Sequence, residues 1–192
     1  MIHIYCKNMD EMWFAAAIKD EAIIATTFAP KEKEVLEDLL RSLPHNLSFQ
    51  MAKKPTLFSE QVLSALKSIF DGKNASSNFR LDMKHLSDYT QKVLKCVSMV
   101  PVGYVTTYGA VAKVMGGSPR AVGRVMATNP FPPLVPCHRV VRSDFTLGGF
   151  GLGLAVKWEI LQNENRGHRE DMKIQVDGKS LSLFPINFLR KD

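Results

Sequence analysis

A cysteine and a histidine stand side by side at Cys137 and His138, between a proline-rich run and two valines. Because proline supplies no backbone donor and breaks helices, residues 129–134 are predicted to form a loop, and Val140 and Val141 a short strand. A side chain at such a junction can be aimed at a substrate. Thiolate is a soft, strong nucleophile, and a neighbouring base can raise its fraction. The alternative is that Cys137 is a small buried hydrophobe, as most lone cysteines are.

A second distinctive stretch lies upstream and combines two short helical segments with a glycine turn. The first segment ends near Met115, Gly116-Gly117 makes the turn, and Ser118 followed by proline is a favourable helix start. Such a helix-turn-helix often places its second helix on DNA, although many are only packing motifs. The second helix carries Arg120 and Arg124, several small residues and few side chains that read base edges. This favours close contact with DNA phosphates and little sequence preference.

A glycine-rich segment follows the cysteine at residues 146–153. It lacks the lysine and the strand-to-helix order of a phosphate-binding loop, and its glycine spacing does not fit a dinucleotide-binding fold. We predict that it forms one wall of a pocket that passes close to a flat ligand. A helix is predicted over 154–165, with Val156, Ile160 and Leu161 facing inward and Glu164 near its end.

Composition limits the class of protein. The 192 residues are 45% hydrophobic, and no apolar run approaches the roughly 20 residues that span a membrane. The three cysteines are widely spaced, and no secretory signal is recognisable, so we expect a soluble cytoplasmic protein without membrane contact. His3 and Cys6 have the spacing of metal ligands but no matching second pair, so neither a metal nor a cofactor is predicted.

Charge separates the chain into two halves. Residues 1–85 hold 11 basic and 11 acidic side chains, whereas residues 86–192 hold 14 and 8, so the second half carries the whole net charge of +6. The first half is predicted to contain strands followed by helices, and residues 172–183 alternate around Asp177-Gly178 as a hairpin does. We predict an α+β protein with a structural domain at 1–85, a basic, mostly helical domain at 86–168, and a tail at 169–192.

Four motifs in the basic half together resemble a known family, the O6-alkylguanine-DNA alkyltransferases, or methylated-DNA–protein-cysteine methyltransferases. They are Arg-Ala-Val-Gly at 120–123, Asn-Pro at 129–130, Pro-Cys-His-Arg-Val at 136–140 and Gly-Leu-Ala-Val-Lys at 153–157. The close match covers roughly residues 86–165. The first half matches only in size and element order, which implies a small ribonuclease-like α/β domain, and the tail has no counterpart.

The resemblance implies direct reversal of DNA damage by a monomer without a cofactor. The partner is duplex DNA containing O6-alkylguanine, bound from the minor groove, and O4-alkylthymine is a further substrate of this type. The damaged base rotates out of the stack, and Cys137 takes its alkyl group irreversibly, so each molecule acts once. Arg120 fills the gap in the duplex, and the other implied DNA contacts are Thr107, Ala121, Gly123, Arg124 and Ala127.

The same resemblance implies roles around the nucleophile. Neighbouring strand residues point to opposite faces, so His138 is expected to reach Cys137 through a water molecule, with Glu164 behind it. Tyr108 donates a proton or hydrogen bond to the guanine ring, and Asn129 braces the turn before the cysteine. The implied pocket consists of Tyr108, Pro136, Val140, Phe150, Gly151 and Leu152.

The pocket wall departs from the family pattern. Phe150 and Gly151 stand where a tyrosine and a serine are usual, so two hydroxyl donors are absent, and Leu152 replaces a glycine and is expected to narrow the pocket. These departures predict that O6-benzyl substrates react poorly relative to O6-methyl ones.

Three other functions compete with alkyl transfer. Alkyltransferase-like proteins flag lesions without repairing them, but they lack the cysteine that stands here at 137. A helix-turn-helix regulator could sense alkylation through the same cysteine, although no separate activation domain is visible. A cysteine hydrolase needs an oxyanion hole and a distant histidine, which the adjacent pair fits poorly.

Overall fold

The computed structural model describes residues 1–75 and 78–190. By their contacts these residues form two compact units. The first unit consists of Met1–Phe70, Asn74–Leu86 and Pro130–Leu134, and the second of Asp71–Lys73, Ser87–Asn129 and Val135–Asp192. Within the described part of the chain, the helices are too short or too polar to cross a bilayer. The predicted domain ranges 1–85, 86–168 and 169–192 stay a prediction.

The first unit is a four-stranded sheet with two helices. Strands β1 to β3 form consecutive antiparallel hairpins, and β4 pairs with β1 in parallel, so the order is β3-β2-β1-β4. Apolar residues of β1 and β2 pack against Val35 and Leu39 of the first helix. The elements are β1 Ile2–Met9, β2 Met12–Lys19, β3 Ala22–Ala29, α1 Glu32–Arg41, β4 Phe49–Met51 and α2 Leu57–Phe70.

The second unit contains four helices and a small sheet. Its elements are α3 Asp88–Ser98, β5 Tyr104–Thr107, α4 Tyr108–Met115, α5 Pro119–Ala127, β6 Val140–Val141, α6 Leu154–Glu164, β7 Met172–Val176 and β8 Lys179–Pro185. A 3₁₀ turn, Cys137–Arg139, leads directly into β6. The sheet order β6-β5-β8-β7 joins the strand after the cysteine to the strand before Tyr108.

The C-terminal hairpin is an integral part of this sheet. Its strand β8 is antiparallel to β5, with Tyr104 opposite Pro185 and Val105 opposite Phe184. The hydroxyl of Thr106 donates to the carbonyl of Ser182 at 2.9 Å. The predicted hairpin is therefore present, and its second strand covers the edge of β5.

Helix α5 begins where the sequence predicts a cap. The Ser118 hydroxyl accepts a hydrogen bond from the Ala121 N–H, and Pro119 occupies the first turn of α5. Gly116 and Gly117 have φ of 86° and 82°, a conformation that side chains disfavour, so the glycine pair makes the turn between the helices. The predicted α+β class, with an N-terminal sheet unit and a helical C-terminal region, is confirmed.

Candidate active site

The nucleophile candidate lies on a tight turn, not in a strand. The Cys137 N–H donates to the Val135 carbonyl at 2.8 Å, and the Arg139 N–H donates to the Pro136 carbonyl at 2.9 Å. Successive side chains of a 3₁₀ turn are about 120° apart, whereas those of a strand alternate by 180°. The strand geometry used to place His138 opposite Cys137 was therefore wrong, because Pro136 at φ −78° and ψ 65° leads the chain into a turn.

Cys137 opens onto a cavity of about 490 Å³ within the second unit. Helix α5 supplies part of its wall, and the segment after β6 supplies another part. The thiol-bearing residue is only 6% exposed, so a group must enter the cavity to reach the sulfur. The lining residues are Tyr108, Pro119, Gly123, Met126, Ala127, Cys137, Arg142, Gly148, Gly149, Phe150 and Gly151.

Behind the turn lies a buried network around one carboxylate. Glu164 Oε1 is 3.0 Å from His138 Nε2 and 2.7 Å from Arg139 Nη2, and its Oε2 accepts from Arg139 Nε at 2.9 Å. Arg139 Nη1 also donates to the Val100 carbonyl at 2.5 Å. His138 and Arg139, which are adjacent in the turn, thus both contact the Glu164 carboxylate at the end of α6.

This network fixes the protonation of His138. Burial by itself raises the pKa of Glu164. The charge of His138, which is protonated in the acid range where this carboxyl titrates, the charge of Arg139 and the hydrogen bonds of both residues lower it to about 2. Burial lowers the pKa of His138, so the imidazole is neutral at pH 7 and donates its Nε2–H to the carboxylate. Its other nitrogen, Nδ1, is buried and has no hydrogen-bond partner among the described residues. A neutral histidine held this way presents a free lone pair on Nδ1.

The thiol of Cys137 is held in its neutral form. Burial raises its pKa above the ordinary value, while a hydrogen bond from Asn129 and the charge of Lys157 act in the opposite direction. Asn129 Nδ2 also donates to the Val135 carbonyl at 3.0 Å, which ties the residue after α5 to the start of the cysteine turn. A base is therefore needed to generate thiolate when a substrate is present.

Tyr108 stands at the first position of α4 and lines the same cavity. Its hydroxyl lies 3.5 Å from the Gly149 carbonyl. Burial and the nearby Cys137 raise the pKa of the phenol, although the charge of Arg142 opposes this. The phenol is thus protonated at neutral pH and can donate.

The residues predicted to contact DNA differ in exposure. Arg120, Arg124 and Ala127 of α5 are exposed, and Ala121 and Gly123 are half-buried. Thr107 is 8% exposed, and its hydroxyl caps α4 by accepting from the Ala110 N–H at 3.0 Å. Helix α5 therefore presents two arginines to solvent, whereas Thr107 is occupied within the fold.

The predicted pocket is partly reproduced. Tyr108, Phe150 and Gly151 line the cavity, whereas Pro136 and Val140 are buried without lining it. Leu152 is half-buried and is not among the lining residues, so the expected narrowing by this side chain has no basis in the structure.

Sequence reasoning gave no role to Lys157, which is fully buried. Its Nζ donates to the carbonyls of Val140 at 2.7 Å and Leu147 at 2.6 Å, and lies 3.4 Å from that of Gly149. The lysine thereby ties β6 to the glycine-rich wall and places a positive charge near the thiol. Helical spacing from Ile160, Leu161 and Glu164 was the available signal, since positions i, i+3, i+4 and i+7 share one face.

The chain is similar in sequence to known DNA methyltransferases. A profile described as the DNA binding domain of 6-O-methylguanine DNA methyltransferase matches residues 88–166. A methylated-DNA–protein-cysteine methyltransferase from Thermococcus barophilus is 34% identical over 137 residues, which cover 68% of this chain and 77% of that protein. A protein of the same name from Pyrobaculum aerophilum is 46% identical over 84 residues, 44% of this chain and 56% of the relative.

The fold has a solved counterpart. The crystal structure of O6-methylguanine-DNA methyltransferase from Pyrococcus kodakaraensis superposes with a TM-score of 0.66 and 28% identity, covering 85% of this chain and 99% of that one. The chain spans 46–63% of the length of four of the curated relatives it matches, the Pyrobaculum protein among them.

Proposed function

The chain belongs to the methylated-DNA–protein-cysteine methyltransferase family, and from that premise we propose that it repairs alkylated DNA by direct reversal. One observation carries the proposal: Cys137 lines a cavity, while the two residues after it hold a buried carboxylate. In the proposed reaction, the alkyl group of O6-alkylguanine in duplex DNA is transferred irreversibly to Cys137. Each molecule reacts once, and O4-alkylthymine is a second substrate of this kind.

The transfer is a displacement at the alkyl carbon. The sulfur of Cys137 forms a bond to that carbon while the bond from the carbon to guanine O6 breaks. The thiol proton passes to Nδ1 of His138, by way of a water molecule as the family resemblance implies. The electron pair of the broken bond stays on the guanine, and Tyr108 neutralises the developing anion by donating its proton or a hydrogen bond to the ring.

Each supporting side chain has a defined part in that step. Glu164 accepts Nε2–H from His138 and so keeps Nδ1 available as a base. When His138 becomes protonated, the same carboxylate stabilises the imidazolium. Arg139 keeps Glu164 ionised throughout because a guanidinium does not lose its proton. Asn129 stabilises the thiolate by its hydrogen bond and braces the turn.

The same environment determines how reactive the Cys137 thiol is before DNA binds. Because burial raises the pKa of Cys137, the free protein keeps an unreactive thiol. A protein that reacts once gains from this, since off-target electrophiles would consume it. The substrate base, once in the cavity, completes the site.

We further propose that α4 and α5 act as a helix-turn-helix on the minor-groove side of duplex DNA. The exposed Arg120 and Arg124 suit phosphate contact, and the small residues of α5 allow close approach. The damaged base rotates out of the stack into the cavity because O6 is not open to in-line attack within the duplex, and Arg120 fills the gap. The protein works as a monomer in the cytoplasm.

The test is to follow the alkyl group. The protein is incubated with a duplex oligonucleotide carrying O6-methylguanine with a labelled methyl group, and the peptides are analysed by mass spectrometry. We expect the label on Cys137 at no more than one equivalent, and unmodified guanine in the DNA. The matched control is Cys137→Ser, which should bind the DNA without accepting the label because a hydroxyl is a far weaker nucleophile. Tight binding of the lesion by the wild type without transfer would instead support lesion flagging.

A further inference from the structure

One basic residue at the cavity has no part in the reaction described above. Arg142 directly follows β6, is exposed, and lines the cavity that holds Cys137. Among residues 1–75 and 78–190, no carboxylate lies within 4.0 Å of its guanidinium. The charge of Arg142 helps to lower the pKa of Asp144, but this carboxylate lies beyond salt-bridge distance. An exposed guanidinium without a salt bridge at the wall of a substrate cavity is available to bind an anion.

The backbone that carries Arg142 is held by a tight turn. Its N–H donates to the Thr146 carbonyl and its carbonyl accepts from the Phe145 N–H, both at 3.0 Å. Asp144 closes the turn by accepting from the N–H and hydroxyl of Thr146, at 3.1 and 2.7 Å. The backbone of Arg142 is thus held in place, whereas its guanidinium can bind a ligand.

Gly148 shows where the stem of this side chain runs. A Cβ on Gly148 would lie 3.1 Å from Tyr108 Cε2 and 3.3 Å from Arg142 Cγ. The stem of Arg142 and the ring of Tyr108 therefore border the same point of the wall. Gly148 also has φ of 68°, so glycine suits both the backbone and the limited space.

We propose that Arg142 binds a backbone phosphate of the nucleotide whose base enters the cavity. This rests on the proposed function, in which the base must reach the nearly buried Cys137. The sugar and phosphates of that nucleotide then stay at the opening, where the cavity-lining side chains are exposed. Helix α5, which carries the exposed Arg120 and Arg124, forms part of the cavity wall through Gly123 and Ala127, and Arg142 adds a positive charge from the segment after β6. A guanidinium matches a phosphodiester in charge and can bind two of its oxygens.

The nearest rival role for Arg142 is electrostatic support of Tyr108. Its charge acts to lower the pKa of the phenol, which would help proton donation to the guanine ring. That role would act on every substrate that uses Tyr108, including a free base. A phosphate contact acts only on substrates that contain phosphates, so the two roles are separable.

The experiment compares Arg142→Gln with wild type on duplex DNA containing O6-methylguanine and on the free O6-methylguanine base. We expect the second-order rate constant on the duplex to fall on the order of 10-fold, as for loss of one charged hydrogen bond. The slope of log binding constant against log salt should fall by about 0.9, the value for one phosphate. Arg142→Lys should recover part of the rate, and Lys33→Gln, the same loss of charge on the exposed face of α1, should not change it.

Methylphosphonate scanning identifies the phosphate. Each phosphate beside the lesion is replaced in turn by a neutral methylphosphonate, and both proteins are assayed. At the contacted position the DNA change and Arg142→Gln should together cost no more than either alone. Equal losses on duplex and free base, or additive losses at every position, would overturn the phosphate contact. Absence of transfer from either substrate to the wild type would instead refute the proposed function.

Discussion

Replacing Glu164 by Gln tests the buried network most directly. The carboxylate is fully buried and accepts three contacts of 2.7–3.0 Å from His138 and Arg139. Its pKa falls from 4.5 to about 2 in the folded protein, which corresponds to about 3 kcal/mol at pH 7. Breaking a buried ion pair by removing one partner costs about 3–5 kcal/mol, which agrees. We therefore expect Glu164→Gln to lower the free energy of unfolding by about 3 kcal/mol.

The pH dependence of that loss has a definite sign. Because the folded pKa of Glu164 lies below the unfolded value, its stabilisation is complete above pH 4.5 and is lost as the pH falls towards 2. The difference between wild type and Glu164→Gln should accordingly be largest at neutral pH and shrink below pH 4.5. Urea unfolding of both proteins at a series of pH values measures this difference.

Glu159→Gln is the matched control for this experiment. It makes the same chemical change on α6, but at an exposed position. At pH 7 the Tm of Glu159→Gln should stay near that of the wild type. The Tm of Glu164→Gln should fall by roughly 6–12 °C. The reasoning is refuted if both variants are equally stable, since the cost of burying the carboxylate would then equal the gain from its ion pairs.

Three further predictions concern other parts of the site. Arg120→Ala should slow transfer from duplex DNA more than transfer from a free O6-alkylguanine base, since flipping is needed only in the duplex; an equal fall in both rates would exclude the gap-filling role. Lys157→Met should lower the free energy of unfolding by about 3 kcal/mol in urea titrations, because it leaves the carbonyls of Val140 and Leu147 buried without their donor; the exposed Lys95→Met should be neutral. Leu152→Gly should leave the ratio of O6-methyl to O6-benzyl rates within about twofold, because Leu152 does not line the cavity; a large gain for the benzyl substrate would show that it does narrow the pocket.

Local sequence signals were sufficient for most elements. The strands and helices of the first half, the cap at Ser118 and the glycine pair before it depend on neighbouring residues, and the structure has each of them. Cys137 and His138 were chosen by their adjacency and motif, and the structure places them on one turn above Glu164. Their conformation was not predictable, because a three-residue 3₁₀ turn is too short to show a period.

Distant contacts explain what the sequence could not show. Lys157 lies on the same helical face as Ile160, Leu161 and Glu164, but a lysine is ordinarily exposed, and its acceptors are carbonyls 8–17 residues away. The pairing of β8 with β5 likewise joins segments about 80 residues apart, for which no local pattern exists. Arg142 was not predicted as a site residue, because the sequence does not show that this exposed arginine lies beside a cavity.

The pairing of β5 with β8 also has a consequence for synthesis of the protein on the ribosome. Tyr108 and Cys137 leave the exit tunnel well before residues 179–185, so the edge of β5 has no partner while the nascent chain grows. Closing a contact over so long a loop is slow compared with local helix formation. We expect a ribosome-bound chain stalled before β8 to be unable to accept an alkyl group. Under the proposed function, in which each molecule reacts once, the protein would in this way become reactive only after β8 is in place.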